Sequence, residues 1–274
     1  MIVESTLSGP ILIFDSGIGG LSILNEIRKL IPDQSCCYLF DSARLPYGEL
    51  DEAELNAGCV QLITEQANRI NAAIVVVACN SASTLVLPIL RQQLAIPVVG
   101  VVPAIKPAAK ISTGRHIGLL ATPGTIKRHY TKELIVEFAD DCQVELFGSS
   151  ELVMLAEEKL AGSEVDMTRL ARLLSPIQSS KLDTLVLGCT HFPILAAEIS
   201  QVLGVGIALL DSGSAVAGRV HHLLSTAGAI QGNVVGEVEL SAVYTSEHIS
   251  LGLKQRLVKE GFYKIEPYSS TNPQ

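Results

Sequence analysis

Two cysteines of this sequence stand in matching surroundings that could support acid–base chemistry. Cys79 lies in the segment VVVACNSAS (75–83) and Cys189 in the segment LVLGCTHFP (185–193), so each follows an apolar run and precedes small hydrogen-bonding residues. A thiol at the start of a helix can be held as a thiolate by the helix dipole, and a nearby histidine or carboxylate can exchange a proton with it. The candidates for that exchange are His191 and Asp15.

Two equivalent thiols suit the inversion of a carbon centre better than hydrolysis. Removing a proton from one face and supplying another to the opposite face needs two acid–base groups that flank the substrate. A single-cysteine hydrolase or amidotransferase needs one nucleophilic thiol and a histidine, and it stays an alternative. Zinc binding ranks below thiol chemistry, because Cys79, Cys189 and His191 have no obvious fourth ligand. The other cysteines are interpreted as core residues, namely Cys36, Cys37, Cys59 and Cys142.

The rest of the chain alternates between short apolar runs and stretches of helical length. Eight runs predict strands, and they lie at 11–14, 36–40, 73–78, 97–101, 117–121, 143–147, 184–188 and 206–210. Continuous apolar strands separated by helices are typical of a parallel α/β sheet covered on both faces. The last segment, 237–268, predicts a strand, a helix and a further strand.

Two observations predict that the chain forms two similar halves. The segment IFDSGIGGLSI (13–23) is echoed by LLDSGSAVAG (209–218), and prolines at 103 and 107 follow the fourth predicted strand. We therefore expect two similar α/β domains with mostly parallel sheets, related by a pseudo-twofold axis. The predicted boundaries are 1–102 with 213–274 for the first, discontinuous domain and 103–212 for the second.

A glycine-rich segment, FDSGIGGLSIL (14–24), lies where the first strand gives way to a helix. Phosphates often bind at such a turn, but the G-x-G-x-x-G spacing fails because a count from Gly17 puts Ser22 at the last position. We interpret the segment as a tight turn in which Asp15 or Ser16 caps the following helix. This interpretation is compatible with a catalytic Asp15, because ligands of α/β sheets bind at strand ends.

Composition narrows the class of protein. The chain has 274 residues and a formal net charge of −8 with no basic block, so we expect a small substrate and no nucleic acid. Every apolar run is interrupted before it reaches the roughly 18 residues that a membrane span needs. The opening MIVESTLSGP has neither a basic start nor an apolar stretch of signal-peptide length, and no CxxC pair occurs. We therefore expect a cytoplasmic protein with reduced thiols.

Seven motifs, in this order, resemble those of the glutamate racemase family. They are FDSGIGGLS, LPYGE, VVACNSAST, VGVVPAIKPA, LLATPGTIKR, ELVMLAEEKL and LVLGCTHFPIL, and the similarity runs from about Ile11 to the DSGSAVAGR segment. The resemblance implies an enzyme that interconverts L-glutamate and D-glutamate for peptidoglycan synthesis, with no cofactor and no metal. It also implies a homodimer whose active site lies in the cleft between the two domains. An aspartate racemase or another superfamily member is the nearest alternative.

The resemblance also implies roles for single residues. It places the two catalytic cysteines at Cys79 and Cys189, with Asp15 and His191 as proton-transfer assistants and Glu157 as a further candidate. Substrate contacts are expected at Asp15, Ser16, Pro46, Tyr47, Gly48, Asn80, Ser81, Thr122, Thr190 and His191. The branch of the family whose sequence motifs this chain shares can be activated by UDP-N-acetylmuramoyl-L-alanine, bound near the N-terminus and the domain hinge.

Overall fold

The chain forms two parallel sheets, as the computed structural model of residues 9–229 and 238–269 describes it. The first sheet has six strands in the order β10-β9-β2-β1-β3-β4, and the second has four in the order β6-β5-β7-β8. The strands are β1 (Ile11–Asp15), β2 (Cys36–Phe40), β3 (Ile74–Val77), β4 (Val98–Gly100), β5 (His116–Ala121), β6 (Gln143–Gly148), β7 (Thr184–Leu187), β8 (Ala208–Leu210), β9 (Leu240–Tyr244) and β10 (Lys264–Pro267). Each of the eight predicted runs overlaps one strand, which confirms the α/β class.

Helices connect the strands. They are α1 (Leu21–Leu30), α2 (Glu52–Arg69), α3 (Asn80–Gln93), α4 (Ile105–Ile111), α5 (Pro123–Lys127), α6 (His129–Phe138), α7 (Glu151–Leu160), α8 (Met167–Gln178), α9 (Ala196–Leu203), α10 (Gly213–Thr226) and α11 (Leu251–Lys259). Short 3₁₀ turns occur at Ser42–Arg44, Tyr47–Glu49 and Phe192–Leu195. Within the described ranges, no helix has the length and apolar character to cross a membrane.

The inner strands β1, β2 and β3 of the first sheet are buried on both faces, which explains why they are continuous apolar runs. In β1, Ile11 and Ile13 pack in the cluster that includes residues of α1, α10 and α11. Leu12 and Phe14 point to the other face, where they pack in the cluster that includes residues of α2 and α3. Each fully buried side chain of this size contributes about 1.5–3 kcal/mol. The strands are therefore firm supports for the residues at their ends.

The strand order repeats between the two sheets. The order β2-β1-β3-β4 in the first sheet matches β6-β5-β7-β8 in the second. Cys79 follows the third strand of the first set, and Cys189 follows the third strand of the second set. In these orders β1 lies beside β3, and β5 lies beside β7. The carboxyl ends of such neighbouring strands border the crevice where ligands bind. The repeat agrees with the expected similarity of the two halves, whose boundaries at 102/103 and 212/213 stay a prediction.

The start of α1 differs from the predicted cap, and the start of α3 includes Cys79. The N-cap of α1 is Gly20, because the Asp15 carboxylate turns back to accept the N–H groups of Ser16 and Gly20 instead of capping the helix. The N-cap of α3 is Cys79 itself, so Asn80 begins the first helical turn. The Cys79 thiol therefore lies at the N-terminus of a 14-residue helix, where the dipole favours a negative charge.

Candidate active site

Cys79 lies at the junction of β3 and α3, at the carboxyl edge of the first sheet. Its side chain is buried, and its Sγ donates to the Ser16 Oγ at 3.7 Å. Burial raises the pKa of the Cys79 thiol well above its usual range, and the negative charge of Asp15 raises it further. Cys79 is therefore a protonated thiol at rest, which can act as a proton donor.

Asp15 is fully buried, and its carboxylate accepts hydrogen bonds from both halves of the molecule. Its Oδ1 accepts the Ser16 N–H at 2.8 Å, and its Oδ2 accepts the Gly20 N–H at 2.5 Å. The Thr190 hydroxyl donates to the same Oδ2 at 3.2 Å. Burial raises the pKa of Asp15, while the positive charge of His191 and the main-chain hydrogen bonds oppose this shift. Asp15 thus joins the first cysteine motif to the second.

The second motif forms a chain of three side chains. The Cys189 Sγ lies 3.7 Å from the His191 Nδ1, and the His191 Nε2 lies 2.7 Å from the Glu157 Oε1. Burial alone would lower the pKa of His191, but its hydrogen bonds to Cys189 and Glu157 and their negative charges raise it well above its usual range. An imidazolium ring beside a cysteine can stabilise a thiolate, so this contact suits a cysteine that exchanges a proton.

The glycine-rich turn after β1 allows Glu157 and His191 to approach the backbone of this turn closely. A Cβ at Gly17 would lie 2.1 Å from the Glu157 Oε1, and a Cβ at Gly19 would lie 2.4 Å from the His191 Nδ1. The Ile18 N–H, between the two glycines, donates to the same Glu157 oxygen at 2.8 Å. The glycines therefore serve this close approach, which the sequence pattern by itself did not reveal.

Three buried hydroxyl groups connect the first motif to the second sheet. The Ser81 Oγ lies 3.0 Å from the Thr122 Oγ1 and 3.3 Å from the Thr125 Oγ1, and the two threonine oxygens are 3.0 Å apart. Thr122 directly follows β5 and is the N-cap of α5, because its hydroxyl accepts the Thr125 N–H. Hydroxyls donate and accept, so this cluster can bind a carboxylate or an ammonium group. Sequence reasoning missed Thr125, whose signal was its position three residues after a capping threonine.

The loop that contains the predicted residues Pro46, Tyr47 and Gly48 packs against this cluster. A Cβ at Gly48 would lie 2.6 Å from the Thr122 Cβ, so only a glycine fits this approach. Tyr47 is buried in the core of the first sheet, and its hydroxyl donates to Asp41. The tyrosine therefore anchors the loop, and Gly48 is the residue that meets the second sheet. Pro46 directly precedes the turn that both residues begin.

The remaining predicted residues also lie where the carboxyl edges of the two sheets meet. Asn80 and Ser81 come from the first turn of α3, and Thr190 and His191 follow β7; all four are buried. The hydrogen bond from Thr190 to Asp15 connects the two edges. The result is a pair of thiols with different neighbours, in a setting that can move protons between a carbon atom and two sulfur atoms.

The chain is similar to proteins of one enzyme family. A model of the Asp/Glu/Hydantoin racemase family matches residues 21–220. Glutamate racemases from Shewanella piezotolerans and Shewanella pealeana are 73% and 67% identical, covering 97% and 96% of this chain and 99% and 98% of those proteins. Escherichia coli glutamate racemase, in its complex with L-glutamate and the activator UDP-MurNAc-Ala, aligns with a TM-score of 0.89 at 44% identity, covering 96% of this chain and 100% of that chain. This chain belongs to the Asp/Glu/Hydantoin racemase family.

Proposed function

We propose that this protein interconverts L-glutamate and D-glutamate without a cofactor, with Cys79 and Cys189 as its two acid–base groups. The observation that carries the proposal is the position of the two thiols at equivalent strand ends, one beside Asp15 and the other beside His191. Inversion of the α-carbon needs a base on one face and an acid on the other. The similarity to named glutamate racemases supports glutamate as the substrate.

In the L to D direction, the Cys189 thiolate removes the α-proton and Cys79 supplies a proton to the opposite face. The His191 imidazolium stabilises the Cys189 thiolate before the transfer, and Glu157 holds the ring in place. After the reaction Cys189 is a thiol and Cys79 is a thiolate, so the D to L reaction begins from that state. Hydrogen bonds from the Ala82 N–H and from Ser16 stabilise the Cys79 thiolate.

The carbanion between these two transfers needs stabilisation, because an α-proton is only weakly acidic. Fixed hydrogen-bond donors in a site that excludes water are effective for this purpose. The hydroxyls of Ser81, Thr122 and Thr190 are buried donors at the junction of the two sheets. We assign them to the carboxylate and ammonium groups of the substrate.

The test is exchange of the α-proton in deuterated water, with L-glutamate and the reduced protein, followed by proton NMR and optical rotation. We expect loss of the α-proton signal together with decay of rotation, and slower reaction with L-aspartate. Cys79→Ser and Cys189→Ser should each abolish racemisation, because serine is too weak an acid to replace the thiol. Cys142→Ser is the matched control, since Cys142 lies outside this site and is partly exposed.

Four results would contradict the proposal. Folded, reduced protein that exchanges no α-proton of glutamate would exclude glutamate as the substrate, and faster turnover of aspartate would favour an aspartate racemase. A single cysteine variant with unchanged turnover would exclude the two-thiol scheme. A covalent adduct on one thiol, seen by mass spectrometry, would favour a hydrolase or amidotransferase.

We also propose that the protein is a cytoplasmic homodimer that supplies D-glutamate for peptidoglycan and responds to UDP-N-acetylmuramoyl-L-alanine. The support is the activator in the complex of the Escherichia coli relative, which is 44% identical to this chain. Racemisation assayed with and without the nucleotide tests the activation, and sedimentation velocity tests the dimer. Unchanged kcat and KM on addition of the nucleotide, or a monomeric sedimentation coefficient, would contradict the respective statement.

A further inference from the structure

Arg128 is a buried cation that reaches from the second sheet to the start of α3. It lies between α5 and α6, which follow β5, and only 8% of it is exposed. Its Nη1 donates to the main-chain oxygen of Ser81 and to the Thr84 Oγ1, at 2.7 Å in each case. Neither proton transfer proposed above uses this residue.

The acceptors of Arg128 belong to the helical turn that positions Cys79. Helix α3 begins directly after Cys79, and the Ser83 N–H donates to the Cys79 main-chain oxygen at 2.8 Å. The Ala82 N–H also bonds to the Cys79 thiol. A shift of this turn therefore moves the Cys79 Sγ relative to the substrate. A displacement of about 1 Å can cost on the order of 10²-fold in rate.

Stability alone does not account for a guanidinium at this place. A buried charge is costly unless it is paired and fully hydrogen-bonded, and an apolar side chain often fills such a site at a lower cost. Within the described residues the Arg128 Nε has no hydrogen-bond partner, and the nearest carboxylate oxygen, on the exposed Glu52, lies 3.7 Å from it. The well-formed bonds of Arg128 are those to α3, which indicates that fixing α3 is its role.

We propose that Arg128 is a positioning residue that fixes Cys79 for its proton transfer by tying the first turn of α3 to the second sheet. This role presupposes the two-thiol racemisation proposed above. It concerns the step at Cys79 alone, because Cys189 is positioned by a different set of contacts, through His191 and Glu157.

Primary isotope effects on kcat/KM, measured with α-deuterated L- and D-glutamate, separate the two proton transfers. In Arg128→Met the step at Cys79 becomes slower, so the isotope effect should rise for D-glutamate, which Cys79 deprotonates, and fall toward one for L-glutamate. We expect kcat/KM to fall at least tenfold for both enantiomers, because the equilibrium constant fixes their ratio. Arg128→Lys keeps a donor for one of the two acceptors and should restore part of the rate.

Two further variants keep the test decisive. Arg91→Met is the matched control, because Arg91 lies near the other end of α3 and donates to the Val98 main-chain oxygen of the first sheet at 3.3 Å. The isotope effects of Arg91→Met should equal those of the wild type. Thr84→Val removes one acceptor of Arg128 and should give a smaller change in the same direction, even if Arg128→Met does not fold.

Isotope effects that stay unchanged, change equally for both enantiomers or shift in the opposite direction would overturn the role of Arg128. Wild-type racemisation is measured in the same experiment. Its absence would instead overturn the proposed function, so the two failures are distinguishable.

Discussion

Single residues decide why two cysteines at equivalent positions differ. Each thiol follows the third strand of its sheet, so the backbone presents both in the same way. Beside Cys79 lies the carboxylate of Asp15, which favours a neutral thiol, whereas Cys189 faces the ring of His191. The two thiols therefore differ in their neighbouring side chains and not in their backbone positions.

The contact between Glu157 and His191 predicts an effect of pH on the activity. Glu157→Gln removes a negative charge and a strong acceptor that both raise the pKa of His191, so that pKa falls. The imidazolium proton is then lost at a lower pH, and the alkaline limb of kcat/KM should move to lower pH with both enantiomers. Glu158→Gln is the control, because Glu158 pairs with Arg169 on the surface. A limb that stays in place, or moves to higher pH, would contradict the role of Glu157.

At the scale of elements, the glycine turn after β1 matters for the space it leaves. A Cβ at Gly19 would come within 2.4 Å of a His191 ring that Cys189 and Glu157 hold from two sides. Gly19→Ala should therefore displace the ring and lower kcat/KM by on the order of 10²-fold, as measured by racemisation assays.

A second glycine provides the control for that variant. Gly218 lies within α10, and a Cβ there would meet no atom within 4 Å. Gly218→Ala should leave kcat/KM unchanged and raise the free energy of unfolding by about 0.5–1 kcal/mol, since glycine disfavours a helix interior. Wild-type kinetics in Gly19→Ala would mean that the turn does not approach His191 in solution.

The elements themselves could be predicted from the sequence more completely than their contacts. Strands buried on both faces must be apolar throughout, so the runs of β1, β3, β5 and β7 marked inner strands, and the cysteine motifs marked two strand ends. Contacts between the sheets have no such local pattern. The bond from Thr190 to Asp15 spans 175 residues of sequence, and the bond from Arg128 to Ser81 spans 47. Both depend on how the two sheets pack together, which periodicity does not encode.

For the whole molecule, each sheet supplies one thiol and part of the other thiol's surroundings. Thr190 of the second sheet bonds to Asp15 of the first, and Glu157 of the second accepts the N–H of Ile18 in the first. The proposed proton transfer on both faces of one carbon atom therefore requires the two sheets to be packed together. Binding and release of the substrate require the two sheets to separate, because Cys79 and Cys189 are only 5% and 7% exposed.

This conflict predicts that the two thiols become accessible together when the sheets separate. In the free protein, iodoacetamide should alkylate Cys79 and Cys189 slowly, because reaction depends on a transient opening. Saturating D-glutamate should slow the alkylation of both thiols to the same extent, since the ligand holds the sheets together around itself. Peptide mass spectrometry measures each site, with the partly exposed Cys142 as an internal reference that glutamate leaves unchanged. Protection of one thiol alone would mean that glutamate does not bind between the two cysteines.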